Sequence, residues 1–96
     1  MSYMFSGATN FNDPSVTKWD ITKAVRTNYM FQNATSFNQN VASWNTAKVT
    51  DMSYMFAGAT SFNQNLSGWD TTLVTNGIKF APATFNTNYL PSKTSL

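Results

Sequence analysis

A chain of 96 residues that is 42% hydrophobic but only 10% charged has room for one domain, and it contains no apolar run of the length that crosses a membrane. With no cysteine and no histidine, disulfides, thiolate metal sites and the commonest general base are excluded. The net charge of +2 comes from Lys18, Lys23, Arg26, Lys48, Lys79 and Lys93, set against Asp13, Asp20, Asp51 and Asp70; cations scattered in this way argue against a nucleic-acid partner.

The chain opens on Met1-Ser2-Tyr3-Met4-Phe5-Ser6-Gly7-Ala8-Thr9, which returns as Met52-Ser53-Tyr54-Met55-Phe56-Ala57-Gly58-Ala59-Thr60. A degraded copy, Thr27-Asn28-Tyr29-Met30-Phe31-Gln32-Asn33-Ala34-Thr35, lies between them, and Trp19, Trp44 and Trp69 keep a constant spacing of 25 residues. A period in this range marks short units that bury their apolar sides only by stacking on one another. The whole chain is therefore predicted to be a single repeat domain with units at 1–10 (partial), 11–36, 37–61, 62–84 and 85–96, the last a decayed cap. Because Met1 aligns with the internal Met52, the first coil is expected to be uncapped, covered either by the rest of a longer array or by a partner.

In the second unit, an extra residue at Asp13-Pro14 falls at a corner where proline is easily placed, and residues 16–21 read as an extended segment. Ala24-Val25-Arg26-Thr27-Asn28 then stands where the fullest copy has Val49-Thr50-Asp51-Met52-Ser53, so this unit loses a methionine and an acidic start. In the cleanest unit, residues 41–46 alternate β-branched or aromatic residues with polar ones, which predicts a strand. Met52, Met55, Phe56 and Ala59 fall at i, i+3, i+4 and i+7, which predicts a two-turn helix capped by Thr50, favoured by Asp51 at its positive end and stopped near Gly58. Val41 and Trp44 are three apart and would face opposite sides of a strand, so Val41 is assigned to the preceding turn and Trp44 to the interior. The corner Phe37-Asn38-Gln39-Asn40 recurs as Phe62-Asn63-Gln64-Asn65, and its amides are expected to bond the backbone of the neighbouring coil. Beyond Phe80 the pattern decays through Tyr89-Leu90-Pro91, and residues 92–96 are expected to be loosely held.

The run from Val49 to Thr71, Val-Thr-Asp-Met-Ser-Tyr-Met-Phe-Ala-Gly-Ala-Thr-Ser-Phe-Asn-Gln-Asn-Leu-Ser-Gly-Trp-Asp-Thr, resembles the bacterial surface-protein repeat of the mycoplasma lipoprotein type, related to BspA-like leucine-rich repeats. The resemblance implies an α/β repeat solenoid, leucine-rich-repeat-like, with three to four coils, each containing a short strand and a short helix. It implies display at a cell surface or outside the cell, or on a virus particle, and it carries over no catalytic residue.

Met4, Phe5, Phe11, Trp19, Met30, Phe31, Phe37, Trp44, Met52, Met55, Phe56, Phe62, Trp69 and Phe80 are predicted to form the repeat core. An exposed tryptophan track for sugars is the sharper alternative, but a buried large aromatic contributes about 2–3 kcal/mol, which favours the core. Lys18, Asp20, Ser43, Asn45 and Asp70 on the solvent side of the strands form the candidate contact surface. No catalytic, cofactor or metal set is expected, because the aspartates follow the repeat rather than converge. The function expected is a non-catalytic, surface-displayed module for protein contact or adhesion, working with other protein chains or the remainder of a longer array, with assembly through the uncapped first coil. The alternative is a structural component of a large particle such as a viral capsid or cell-surface layer.

Overall fold

The computed structural model describes residues 1–91. The expected looseness of residues 92–96, and with it the last part of the 85–96 cap, lies outside the described residues. The chain winds into a slab of 31 × 27 × 19 Å built from successive coils, here numbered coil 1 (1–26), coil 2 (27–51), coil 3 (52–76) and coil 4 (77–91).

Adjacent coils are joined by backbone bonds at every second residue. From coil 1 to coil 2, the N–H groups of Tyr3, Phe5 and Gly7 donate to Asn28, Met30 and Gln32 at 3.1, 2.8 and 2.7 Å. From coil 2 to coil 3, Tyr29, Phe31 and Asn33 donate to Ser53, Met55 and Ala57 at 3.0, 2.8 and 2.7 Å. Tyr54 and Phe56 continue onto Ile78 and Phe80.

These bonds do not make the expected α/β solenoid with a strand and a helix per coil. Among the described residues the regular elements are two 3₁₀ turns, Pro14–Lys18 and Thr87–Tyr89, and the bridges Arg26↔Asp51 and Asp51↔Asn76 are isolated and belong to no sheet. The leucine-rich-repeat architecture is overturned by the same finding. The reason lies in how the amides are shared. Met55, Ala57 and Ala59 donate three residues back, to Met52, Tyr54 and Phe56, whereas Met52, Tyr54 and Phe56 donate about one repeat forward, to Asn76, Ile78 and Phe80. An α-helix needs every amide for its own i→i−4 ladder, so this division leaves none of it. Tyr54 also sits at φ 58°, matching Tyr29 at 60° and Tyr3 at 62°, in the left-handed region that a right-handed helix cannot contain.

The expected strands are tight turns as well. Trp44 N–H closes back on the Val41 carbonyl at 3.0 Å and Trp69 on Leu66 at 3.0 Å, which brings both ends of each turn to the interior. Val41 and Trp44 are accordingly both buried, with no need for one of them to lie outside. Thr50 caps no helix: its N–H and hydroxyl both donate to the Val25 carbonyl, at 2.7 and 3.2 Å.

Stacked columns of side chains fill the interior. Phe5, Phe31 and Phe56 stack at 5.4 and 5.3 Å, and Phe11, Phe37, Phe62 and Phe85 at 5.8, 5.7 and 5.7 Å. Two of the three indoles also reach back one coil: Trp44 Nε1 donates to Val16 O at 2.9 Å and Trp69 Nε1 to Val41 O at 3.0 Å. Of the residues expected in the core, Met30, Phe31, Phe37, Trp44, Met52, Met55, Phe56, Phe62, Trp69 and Phe80 are buried, Phe5 and Phe11 are half-buried, and Met4 and Trp19 are exposed.

Candidate contact surface

Two surfaces can meet a partner, one along the side of the stack and one at its first end. The side carries the polar residues singled out from the sequence: Lys18, Asp20, Ser43, Asn45 and Asp70 are all exposed. Asp20, Asn45 and Asp70 occupy the same place in successive coils, each accepting from the amide two residues on, that of Thr22, Ala47 or Thr72. Lys18 ends the first 3₁₀ turn and Ser43 lies in the turn between Val41 and Trp44. The Thr22 hydroxyl, 2.6 Å from Asp20 Oδ1, with the Thr22 amide, holds the Asp20 carboxyl below the usual aspartate range; Thr72 does the same for Asp70. Asp20, Asn45 and Asp70 thus shape turns and form a polar row.

Beside them runs the amide ladder. Asn12 Oδ1 accepts from Asn38 N–H at 2.8 Å and from Gln39 Nε2 at 2.9 Å, and Asn38 Oδ1 repeats both contacts with Asn63 and Gln64 at 3.0 and 2.9 Å. The corner amides thus bond the backbone of the neighbouring coil as the sequence suggested. A second ladder was missed: Tyr3, Tyr29 and Tyr54 stack face to face at 4.7 and 4.8 Å with ring planes within 4°. The recurring tyrosine two residues before each Phe5-type position was its signal. Burial, and then the flanking Tyr3 and Tyr54, push the Tyr29 hydroxyl above the usual phenol range.

The end face belongs to coil 1. Large apolar side chains left exposed in coil 1 are Tyr3, Met4, Trp19 and Val25; Leu73 and Ile78 are the others among the described residues. Met4 is 48% exposed, although the matching Met30 and Met55 are completely buried. Trp19 matches Trp44 and Trp69, but its indole has no earlier coil carbonyl to reach. Val25 stands where coils 2 and 3 have Thr50 and Thr75, an apolar residue at a polar position that the sequence alone displays. Next to these runs a groove of about 800 Å³ lined by Met1, Ser2, residues 20 and 21, and residues 23–26, with the Met1 ammonium donating to Arg26 O at 3.2 Å.

Among the described residues, no group of three or more carboxylates can hold a metal ion, and no helix is long and apolar enough to cross a membrane. The family model described as "Mycoplasma protein of unknown function, DUF285" matches residues 1–91, which agrees with the mycoplasma part of the resemblance and carries no BspA-like designation. No curated protein matches the chain, and no solved structure does.

Proposed function

Taking as premise that the chain belongs to this DUF285 family of Mycoplasma proteins of unknown function, we propose that it is a non-catalytic module that makes contact with protein. The observation that carries the reading is the exposure of Met4 and Trp19 in coil 1, beside the exposed Tyr3, where the equivalent methionines and tryptophans of coils 2 and 3 are buried. An apolar face of this kind, bordered by polar turns, is what a protein interface uses. The non-catalytic part is supported by the engagement of all four aspartates in turns: Asp13, Asp20, Asp51 and Asp70 each accept from the amide two residues on. The narrower BspA-like kinship rests on the sequence pattern alone.

The test is site-specific photo-crosslinking of the full chain in the cells that make it. A photoreactive residue at Met4 is expected to give discrete protein adducts, and one at Asn45 on the polar side none. Adducts from Asn45 with none from Met4 would move the contact to the side of the stack and overturn the assignment of the face.

A further inference from the structure

Asn76 is followed by Gly77, and no other asparagine of the chain precedes a glycine. Its place is set by the repeat. Arg26, Asp51 and Asn76 are equivalent in successive coils, joined by the bridges Arg26↔Asp51 and Asp51↔Asn76, and the Asn76 carbonyl accepts from Met52 N–H at 2.9 Å. The residue thus holds the junction of coils 2 and 3.

The Asn76 side chain is gripped less firmly than its counterparts. It is exposed, and its Oδ1 accepts from Ile78 N–H at 3.3 Å, whereas the same turn contact is 2.9–3.1 Å at Asn40, Asn45, Asp51 and Asn65. That contact folds the carboxamide back along the Gly77 peptide, and a donor on Oδ1 makes Cγ more electrophilic. Glycine has no side chain to hinder approach to its own nitrogen. Asn40, Asn45 and Asn65 are instead followed by Val41, Thr46 and Leu66, whose bulk obstructs the same approach.

We infer that Asn76 is a site of spontaneous deamidation, and that its conversion loosens the junction of coils 2 and 3. The Gly77 nitrogen bonds to Asn76 Cγ while the Cγ–Nδ2 bond breaks, and the Gly77 amide proton leaves with the amino group as ammonia. Water then opens the five-membered imide at either carbonyl. Cleavage between Cγ and the Gly77 nitrogen restores the main chain with an aspartate at 76, and cleavage at the main-chain carbonyl routes the peptide through the side chain as isoaspartate. One water enters and one ammonia leaves, with no redox partner.

The two products differ in what they disturb. Asp51 makes this turn as an aspartate, with its Oδ1 accepting from Ser53 N–H at 2.9 Å, so an aspartate at 76 keeps the turn. It then stands beside Asp51 in the bridge, where like charges directly opposite one another are destabilising. Isoaspartate goes further: it lengthens the main chain by a methylene and turns the carbonyl that accepts from Met52 into a pendant carboxylate. The inference stands apart from the contact reading and does not depend on it.

Timed incubation of the purified full chain in mildly alkaline buffer, followed by peptide mass mapping and isoaspartyl methyltransferase labelling, is the test. Acid and isoaspartate are expected to accumulate at residue 76 several-fold faster than at any other asparagine. Gly77→Ala should slow this several-fold; Thr27 and Met52 occupy the equivalent position in the earlier coils, so the backbone there accepts a side chain. Should that variant fail to fold, Asn76→Gln keeps the amide but must close a six-membered ring, and should suppress conversion as well. The converted protein, separated by ion exchange, should show faster hydrogen exchange at the Met52 amide and a lower urea midpoint than fresh protein, with Asn76→Asp losing less. Conversion spread evenly over the asparagines, or undiminished in the folded variants, would overturn the site. A converted fraction whose Met52 amide is as well protected as in fresh protein would overturn the loosening of the junction.

Discussion

Tyr3, Tyr29 and Tyr54 hold a backbone conformation that ordinarily belongs to glycine or asparagine, and the stack they form offsets that strain with ring contact. A few residues on, Gly7, Asn33 and Gly58 share a second left-handed position, at φ 74°, 58° and 74°. At Gly7 an added methyl meets open space, whereas at Gly58 it would press on the Asn33 side chain. Gly7→Ala should therefore lose about 1–2 kcal/mol from the left-handed penalty alone, and Gly58→Ala should lose measurably more in urea denaturation. Trp44 and Trp19 make a second contrast. Trp44→Phe leaves the Val16 carbonyl without its indole donor and should cost about 1–3 kcal/mol, while Trp19→Phe removes no such bond and should cost far less in the same measurement. Tyr29 sets the alkaline limit. Its folded pKa lies above the unfolded value near about 10, so its contribution is complete below that pH and is lost as pH rises through the folded value. Stability should fall in that alkaline window, and Tyr29→Phe should remove part of the slope of melting temperature against pH.

At the scale of the element, the unit is a succession of tight turns that face their neighbours edge to edge. Far-UV circular dichroism should consequently lack the paired helical minima that the Met52, Met55, Phe56 and Ala59 spacing suggests. The corner amides supply a second check: Asn38→Ala removes the acceptor used by Asn63 and Gln64 and should cost about 1 kcal/mol, whereas Asn38→Asp keeps an acceptor there and should cost less. The repeat, its corner ladder and most of its core could be read from residue spacing, because spacing reports which side chains must meet. The identity of the elements could not. Turns that bring every third residue inward leave Met52, Met55 and Phe56 at intervals that a helix also produces, and Val41 and Trp44 at an interval that does not fit a strand. Tyrosine at positive φ carries no propensity signal, so the feature that breaks the helix is invisible until the neighbouring coil's carbonyls are placed beside it. The candidate site was less legible: the sequence pointed to Lys18, Asp20, Ser43, Asn45 and Asp70 on the side of the stack and put Met4 and Trp19 in the core, because their exposure depends on what lies above them.

Over the whole molecule, cohesion comes from aligned columns rather than from charge. Phe5, Phe31 and Phe56, the Phe11 column and the buried indoles are repeated layers of one contact. In a stack of this type each coil is stabilised by its immediate neighbours, so damage in coil 4 should be felt by coil 3 before coil 1. Replacing Phe85 by alanine should expose the amides of coil 3 to hydrogen exchange earlier than those of coil 2, with Phe62 losing its outer ring partner first.

The amides of Tyr3, Phe5, Tyr29 and Phe31 all reach carbonyls in the next coil at nearly the same distance along the chain. Every closure during folding is therefore a loop of one size, and its entropic cost does not grow as coils are added. The rate of laying down one coil on another is fixed by the repeat and not by the length of the array, so a chain with more coils would fold by the same step taken more often.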